Sequence, residues 1–314
     1  MIVIEVTGIL MTNHAEQRVI LIAGPTASGK SEVALELAQR IGAGLINADS
    51  IQVYRDLRVL SARPSVVDET RTAHQLYGHI DGNIRYSVGR WVQDAAVALA
   101  VFSAAGLPVI FVGGTGLYFR ALTEGLSTVP EIPDRVRAEA IKRLEAIGLE
   151  AFHKEVVAYD PAMIRLKVGD TQRNLRAWEV WQATGRPLSA IQADRGRPII
   201  DPYAARLVIE PPRAQLYQRI EKRFDNMVSA GVLEEVRALK ARNLSADLPI
   251  MKAVGVTELG RYLDGDISME AAISLAKQAS RRFAKRQFTW FRNQTPSWPR
   301  VSNASSAILA LKSA

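Results

Sequence analysis

Cysteine is absent from the 314-residue sequence. Its absence excludes a disulfide framework, cysteine-bound zinc or iron–sulfur sites and thiol catalysis, and it fits a reducing compartment. Long hydrophobic runs are lacking as well, since no stretch of about 18 apolar residues occurs. Residues 1–10 are apolar but carry Glu5 in place of a basic segment, and no small-residue cleavage site follows. We therefore predict a cytoplasmic protein with no signal peptide and no membrane span, and an N-terminal arm over residues 1–17.

Histidine is scarce, and the spacing of the four residues matches no metal-binding pattern: His14, His74, His79 and His153. What the sequence does contain is the mixture of a folded globular protein, with 48% hydrophobic and 23% charged residues. Since domains usually have roughly 100–200 residues, the length indicates two domains, or one domain with an insertion.

The net charge of +8 is concentrated near the C terminus. Residues 271–314 contain no acid and eight basic residues: Lys277, Arg281, Arg282, Lys285, Arg286, Arg292, Arg300 and Lys312. Without these eight, the 40 basic residues fall to 32 and equal the 32 acidic ones. A local cationic field favours a polyanionic partner. RNA, DNA and anionic lipid remain open, as does a solvated helix face without a partner.

Short apolar runs with long crossovers predict a parallel sheet that helices cover on both faces. The runs are residues 18–23, 45–48, 108–112 and 206–209, whereas residues 124–202 show helical periodicity without comparable strands. We therefore predict an α/β fold, a P-loop NTPase-like sheet with an inserted all-helical domain. The core would comprise residues 18–123 and 203–314, including a basic helix over residues 269–293, and the insertion would comprise residues 124–202.

A phosphate-binding loop is the strongest motif. The pattern G-x-x-x-x-G-K-[ST] is matched in full by Gly24-Pro25-Thr26-Ala27-Ser28-Gly29-Lys30-Ser31, between a predicted strand and a predicted helix. Glycines let backbone N–H groups turn toward phosphate oxygens, Lys30 adds a full charge, and the Ser31 hydroxyl is placed to hold Mg²⁺. This P-loop predicts polyphosphate binding, and kinases, NTPases and enzymes that release diphosphate all remain possible.

Two further strand ends carry candidate functional residues. Asp49 follows the second predicted strand, at the carboxyl edge where ligands of open α/β folds bind. Its position suits a Mg²⁺ ligand, a base for a nucleophile or a helix N-cap. The third strand ends in Gly113-Gly114-Thr115-Gly116, a sequence that suits either close approach of the Thr115 hydroxyl to a ligand or a structural turn.

Taken together, these motifs resemble those of the tRNA dimethylallyltransferases, also called tRNA isopentenyltransferases. The landmarks occur in the same order across nearly the whole chain: the P-loop, Asp49-Ser50 with Gln52 and Tyr54, Ala62-Arg63-Pro64, Val112 to Tyr118, Gln172-Arg173 with Arg176-Ala177, Ala284-Lys285-Arg286-Gln287 and Thr289-Trp290-Phe291-Arg292. Departures occur too. The family usually has Gly-Thr-Ala-Lys-Pro where this chain has Leu60-Ser61-Ala62-Arg63-Pro64, and Gly-Tyr plus a basic residue where it has Gly255-Val256-Thr257.

The resemblance implies transfer of the dimethylallyl (isopentenyl) group from dimethylallyl diphosphate to N6 of adenosine 37 in tRNA, with release of diphosphate and without ATP hydrolysis. It implies that Asp49 is the general base and that Thr115 orients the reacting groups. Mg²⁺ on Ser31 is the implied cofactor. The implied diphosphate-binding residues are Gly24, Thr26, Ala27, Ser28, Gly29, Lys30, Ser31, Arg219 and Arg223.

The resemblance also implies that a monomer binds the anticodon stem-loop of tRNA and flips the adenosine outward. The residues expected to contact the RNA are Asp49, Ser50, Ile51, Gln52, Thr115, Arg137, Gln172, Arg173, Arg176, Lys252, Gly255, Arg281 and Lys285. Of these, Arg281 and Lys285 continue the i, i+4 spacing of Lys277, so the three cations share one helix face that suits phosphates.

Three other functions remain open from the sequence. A small-molecule kinase, with ATP in the P-loop and Asp49 as base, would explain the loop but not the basic terminal helix. A prenyltransferase that acts on free adenine nucleotides would not need the inserted domain. A non-catalytic RNA-binding protein would make Asp49 and Thr115 dispensable.

Overall fold

A parallel sheet forms the core of the computed structural model, which describes residues 18–303 and 306–307. Its strands are β1 (Val19–Ala23), β2 (Gly44–Asn47), β3 (His74–Gln75), β4 (Val109–Gly113), β5 (Ala205–Ile209) and β6 (Arg300–Val301). Among the described residues these six strands lie in the order β3-β2-β4-β1-β5-β6, and every neighbouring pair is parallel. The predicted N-terminal arm, residues 1–17, and Lys312 lie outside the described residues.

Helices follow or connect the strands. They are α1 (Lys30–Ile41), α2 (Val66–Arg71), α3 (Val88–Ala104), α4 (Gly116–Glu124), α5 (Asp134–Tyr159), α6 (Thr171–Thr184), α7 (Leu188–Ala193), α8 (Arg213–Ser229), α9 (Val232–Ala241), α10 (Val256–Leu263) and α11 (Met269–Gln294). Short 3₁₀ helices cover Pro161–Arg165 and Pro249–Lys252. In the range that the structure describes, none of the helices combines the length and apolarity that a bilayer crossing requires.

Helices cover both faces of the sheet, as the strand sequences predict. Side chains of a strand alternate between faces, and Ile110 and Val112 of β4 pack in one apolar cluster with Val33 of α1. Phe111, between them in sequence, points to the other face and meets Trp91 of α3 edge to face, with ring centroids 6.4 Å apart. Burial on both faces explains why β4 has no polar alternation, and the predicted α/β fold is confirmed.

The strand order places three loops side by side at the carboxyl edge of the sheet. Because β4 lies between β2 and β1, the turn at residues 113–116 lies between the turn at residues 48–52 and the P-loop. This is the edge at which ligands of open parallel sheets bind. The three sequence motifs that carry chemistry therefore meet at one place in the fold.

The described residues divide into two compact units. Those up to Thr123 and from Ile200 onward form the sheet unit, and Glu124–Ile199 form a helical unit. The helical unit has its own apolar core, which includes Val136, Phe152 and Trp178. Gly148 interrupts α5 with φ 77° and ψ 168°, and Gly185 ends α6 in the left-handed conformation.

Candidate functional site

The P-loop has the backbone conformation that its glycines permit. Gly29 adopts φ 91° immediately before α1, a value that favours glycine. A Cβ added at Gly24 would lie 2.6 Å from the carbonyl oxygen of Ile209 in β5, so only glycine allows this close approach. These two glycines fix the path of the loop and direct it toward the N-terminal end of α1, where anions bind favourably.

Three cationic side chains surround the P-loop. Lys30 Nζ donates to the carbonyl oxygen of Pro25 at 3.3 Å, Arg219 Nη1 donates to the carbonyl oxygen of Ser28 at 3.2 Å, and Arg223 Nη2 donates to Thr26 Oγ1 at 2.5 Å. Both arginines lie on α8, four residues apart, as the sequence predicts. The loop is therefore strongly cationic, and an anion bound there would relieve the repulsion among the three groups.

Burial lowers the pKa of Lys30 to about 8, an effect that the carboxylate of Asp49 opposes and the charge of Arg223 reinforces. Burial also lowers the pKa of Arg223, again opposed by Asp49. Both cations therefore feel the field of the same carboxylate. The P-loop and the end of β2 form one electrostatic site rather than two separate ones.

The Ser28 hydroxyl is buried inside the loop and has no hydrogen-bond partner within the described part of the chain. An unpaired buried hydroxyl costs about 1–3 kcal/mol. It lies 2.9 Å from the position that a Cβ of Gly24 would occupy. A phosphate oxygen in the loop would supply the missing partner, as expected for a residue predicted to bind diphosphate.

The two carboxylate oxygens of Asp49 have different contacts. Oδ1 accepts hydrogen bonds from the backbone N–H groups of Ile51 at 2.9 Å and Gln52 at 3.4 Å, which caps the turn. Oδ2 accepts no hydrogen bond from any described residue, and it lies 3.5 Å from the position of a Cβ added at Gly114. One oxygen therefore fixes the carboxylate, while the second stays available to accept a proton.

The turn after β4 is tied to the turn that carries Asp49. Thr115 Oγ1 accepts from the backbone N–H of Ser50 at 2.9 Å, and the Thr115 N–H donates to the carbonyl oxygen of Ala48 at 3.1 Å. A Cβ added at Gly113 would lie 2.0 Å from the same Ala48 oxygen. Glycine at position 113 thus allows the two turns to pack closely, and Thr115 holds the turn after β4 beside Asp49.

Two buried polar side chains, to which no sequence motif assigned a role, complete the site. Asn47, fully buried at the end of β2, accepts from the Asp49 N–H at 2.9 Å and donates to the Asp49 and Leu76 carbonyl oxygens. Gln287 of α11 accepts from the Thr26 N–H at 2.8 Å and donates to the Gly114 carbonyl oxygen at 2.9 Å. For Asn47 the available signal was a polar residue within the apolar run of residues 45–48. Gln287 follows Lys285 and Arg286 in the sequence, where no such signal stands out.

The segment after Asp49 contains the other residues predicted to meet the base. Ser50 and Ile51 are half-buried in the turn, and Gln52 Nε2 donates to the carbonyl oxygens of Ser61 and Ala62, each at 3.0 Å. Gly255 adopts φ 101°, and a Cβ there would lie 2.6 Å from Leu60. Leu60 thus packs directly on the Gly255 backbone.

The basic residues of α11 have different surroundings. Lys277 and Arg281 face α8 and pair with Asp225 and Glu221, each at 2.7 Å. Arg282 and Arg286 instead line a cavity of about 250 Å³ together with Lys252, Thr257 and Glu258. Lys285 lines a neighbouring open depression with Trp290. Part of the predicted cationic face is therefore neutralised within the sheet unit.

In the helical unit, the predicted RNA-binding arginines also have acidic neighbours. Arg137 and Arg176 approach the buried Glu179, at 3.1 Å and 3.5 Å. Arg173 pairs with Asp170 at 2.8 Å, and Gln172 is exposed beside it. Gln172 and Arg173 present their side chains to solvent on one end of α6, whereas Arg137 is held by the interior carboxylate.

The described residues contain no cluster of three or more histidine, aspartate or glutamate side chains that would enclose a metal. Ser31 is exposed in the first turn of α1, directly after Lys30. Mg²⁺ commonly takes only one or two protein oxygens and completes its shell with phosphates and water. The hydroxyl of Ser31 fits an ion of that kind.

Comparison with known proteins identifies the family. The model of the IPP transferase family matches residues 52–294, and that of the isopentenyl transferases matches residues 17–85. A tRNA dimethylallyltransferase of Phenylobacterium zucineum is 51% identical, over 91% of this chain and 93% of the relative. Another, of Bradyrhizobium sp. (strain ORS 278), is 49% identical over 96% and 99%.

Solved structures agree with the sequence comparison. A tRNA isopentenylpyrophosphate transferase of Staphylococcus epidermidis is 27% identical, with a TM-score of 0.66, covering 95% of this chain and 98% of its own. A eukaryotic dimethylallyltransferase acting on tRNA shares the fold, with a TM-score of 0.79 at 22% identity, over 95% of this chain and 77% of its own. By sequence and by structure, this chain belongs to the IPP transferase family.

Proposed function

We propose that this protein transfers the dimethylallyl group from dimethylallyl diphosphate to N6 of adenosine 37 in tRNA. The observation that carries the proposal is the adjacency of an anion-binding loop and a carboxylate with one unengaged oxygen, Asp49 Oδ2, at neighbouring strand ends. The names of the relatives supply the substrate class, and they favour tRNA prenylation over the kinase, free-nucleotide and non-catalytic alternatives.

On the donor side, the P-loop amides and the Ser28 hydroxyl bind the diphosphate. Lys30, Arg219 and Arg223 oppose the negative charge that grows on the departing diphosphate as its C–O bond breaks. Because that charge is greater in the transition state than in the bound donor, these cations lower the barrier. A divalent ion such as Mg²⁺, held by Ser31 and the phosphates, would add further charge neutralisation when bound.

On the acceptor side, Asp49 Oδ2 accepts a proton from the exocyclic amine as the new C–N bond forms. An adenine amine is a poor nucleophile, and a positioned carboxylate typically contributes about 10²–10⁴-fold in rate. The turn hydrogen bonds to Oδ1 hold the carboxylate in place. Thr115 accepts a hydrogen bond from the Ser50 backbone and so holds the turn from Asp49 to Gln52, which would contact the adenine, in a fixed position.

For RNA binding, we propose that the anticodon stem-loop contacts Lys252 and Gly255 of the sheet unit and Gln172, Arg173 and Arg176 of the helical unit. Lys285, Arg137 and Arg281 would add phosphate contacts, although the charge of each of these arginines, like those of Arg173 and Arg176, has an acidic neighbour. The base must leave the loop stack to reach Asp49. We propose that the enzyme works as a monomer in the cytoplasm, where unmodified tRNA is available.

The test uses labelled dimethylallyl diphosphate, Mg²⁺ and unmodified tRNA without ATP. We expect label on adenosine 37, and an ATP requirement or unlabelled RNA would contradict the proposal. Asp49→Asn keeps an oxygen for the turn but removes the base, so transfer should fall about 10²–10⁴-fold. Binding of tRNA should change less than about threefold, since the turn is retained.

Asp264→Asn, the same substitution at an exposed residue paired with Lys240, is the matched control and should transfer normally. Near-normal turnover by the Asp49→Asn protein would show that this carboxylate is not the base. Loss of tRNA binding in parallel with turnover would show instead that its role is recognition.

A further inference from the structure

We propose that Gln287 is a positioning residue that fixes the P-loop relative to the strand end that carries Thr115 and Asp49. The proposal rests on the transfer reaction proposed above. It assigns to α11 a role in the geometry of catalysis, in addition to its basic outer surface.

The side-chain amide of Gln287 bridges the two loops with both of its polar ends. Oε1 accepts from the Thr26 N–H at 2.8 Å, and Nε2 donates to the Gly114 carbonyl oxygen at 2.9 Å. Gln287 is only 6% exposed, so neither loop group can exchange this partner freely for water. The Thr26 amide is therefore committed to Gln287, although the P-loop pattern predicts that it faces diphosphate.

The position of Gln287 is fixed by apolar packing between α11 and α8. Ala284 and Phe288, on either side of Gln287 in α11, pack with Leu216 and Ile220 of α8 in one apolar cluster. The same helix α8 presents Arg219 and Arg223 to the P-loop. The apolar contacts between α8 and α11 thus fix the position of Gln287 relative to Arg219 and Arg223.

Glycine at position 114 makes the bridge possible. A Cβ there would lie 2.4 Å from Gln287 Nε2, and 3.5 Å from Asp49 Oδ2. The amide and the catalytic carboxylate therefore approach the same glycine. From Gly114 the connection continues through Thr115, which accepts from the Ser50 N–H at 2.9 Å.

Transfer requires the donor carbon and the amine nitrogen to meet at about 3–3.5 Å, and a misplacement of about 1 Å can cost about 10²-fold in rate. The diphosphate anchors the donor in the P-loop, and Asp49 anchors the acceptor amine. Gln287 links the two anchors, so its loss should impair the chemical step more than the binding of either substrate.

Gln287→Met preserves the length of the side chain but removes both hydrogen bonds. We expect the single-turnover rate at saturating donor and tRNA to fall about 10- to 100-fold. The donor KM should change less than about threefold, because Lys30 and both arginines remain. Gln278→Met, the same change at an exposed glutamine of α11, is the control and should leave turnover unaltered.

A second measurement does not depend on activity. Amide hydrogen exchange of Thr26 should be at least about tenfold faster in Gln287→Met than in the unmodified protein, because the acceptor of this N–H is lost. Should the unmodified protein fail to label tRNA, the proposed function falls, while the exchange measurement still tests the bridge. Unchanged turnover, a loss confined to donor KM, or unchanged Thr26 exchange would each overturn the positioning role.

Gln287→Glu covers the case in which the methionine variant does not fold. When ionised, its carboxylate retains an acceptor for the Thr26 N–H but lacks the donor to Gly114, so the assay is run at pH values up to about 9 to deprotonate it. We expect the same loss in single-turnover rate with the Thr26 amide still protected, and normal turnover would contradict the bridge.

Discussion

The charge on Lys30 depends on pH within an accessible range, because burial brings its pKa from the ordinary value of 10.5 to about 8. A lowered lysine pKa means that the donor-free protein loses this positive charge as pH rises through about 8. Diphosphate binding favours the protonated form and should draw a proton back onto Lys30. Affinity for the donor should therefore decline as the solution becomes alkaline.

We expect the donor dissociation constant to rise about tenfold between about pH 7 and about pH 9. Lys30→Arg is the control, since a guanidinium keeps its charge over this interval. Any titration of the donor's own phosphates affects both proteins equally, so the difference between their pH profiles reports Lys30. Parallel profiles measured by equilibrium binding would contradict the assigned pKa.

Some residues of the site could be predicted from the sequence, and others could not. Gly24, Gly29 and Lys30 belong to a pattern whose spacing encodes a local conformation, and their positions follow from the chain alone. Asn47 and Gln287 are different, because their partners are 29 and 261 residues away. Only the packed fold brings those groups together. Asn47 gave a local sign, as a polar residue in an apolar run, whereas the sequence around Gln287 gave none.

At the scale of elements, the segment from Arg58 to Leu60 is held by one carboxylate of α9. Glu235 accepts from the backbone N–H groups of Arg58, Val59 at 2.9 Å and Leu60 at 2.8 Å. This segment leads into the Ser61 and Ala62 carbonyls that hold Gln52. Glu235 thereby supports the turn that we propose meets the adenosine.

Glu235→Ala should lower the free energy of unfolding by about 2–3 kcal/mol, since hydrogen bonds to a charged acceptor each contribute about 1.5–3 kcal/mol and water recovers part of the loss. Denaturant titration measures this change. Glu234→Ala is the matched control on the same helical turn, because among the described residues the Glu234 carboxylate forms only an exposed pair with Arg237 at 3.4 Å. Its cost should stay below about 1 kcal/mol. Equal losses in the two variants would contradict the role of Glu235.

Elements differ in how far the sequence defines them. Strands β1, β2, β4 and β5 are runs of apolar residues that only a doubly covered sheet accommodates, so their existence was predictable. The edge strands β3 and β6 contain two residues each. They pair with β2 and β5 because the neighbouring loops position them beside those strands. The sequences His74-Gln75 and Arg300-Val301 contain no local pattern that predicts this pairing.

For the whole molecule, the excess positive charge is not a uniform surface. Sequence spacing places Lys277, Arg281 and Lys285 on one helical face, yet the first two pair with acids of α8. Helical periodicity shows which residues share a face but not which helix lies opposite. Arg282 and Arg286, each one residue further along α11 than Arg281 and Lys285, line the cavity with Lys252 and Glu258.

We therefore expect Arg282→Gln with Arg286→Gln to weaken tRNA binding more than Lys277→Gln with Arg281→Gln, although both double variants remove two positive charges. Each lost phosphate contact should reduce the slope of log affinity against log salt by about 0.7–0.9, so the first pair should flatten the salt dependence. The second pair leaves Asp225 and Glu221 unpaired, and its slope should change little. Binding of tRNA measured over a salt series decides between them. Equal changes in slope would mean that RNA displaces the α8 acids and uses the whole face, whereas the reverse ranking would place the RNA against Lys277 and Arg281.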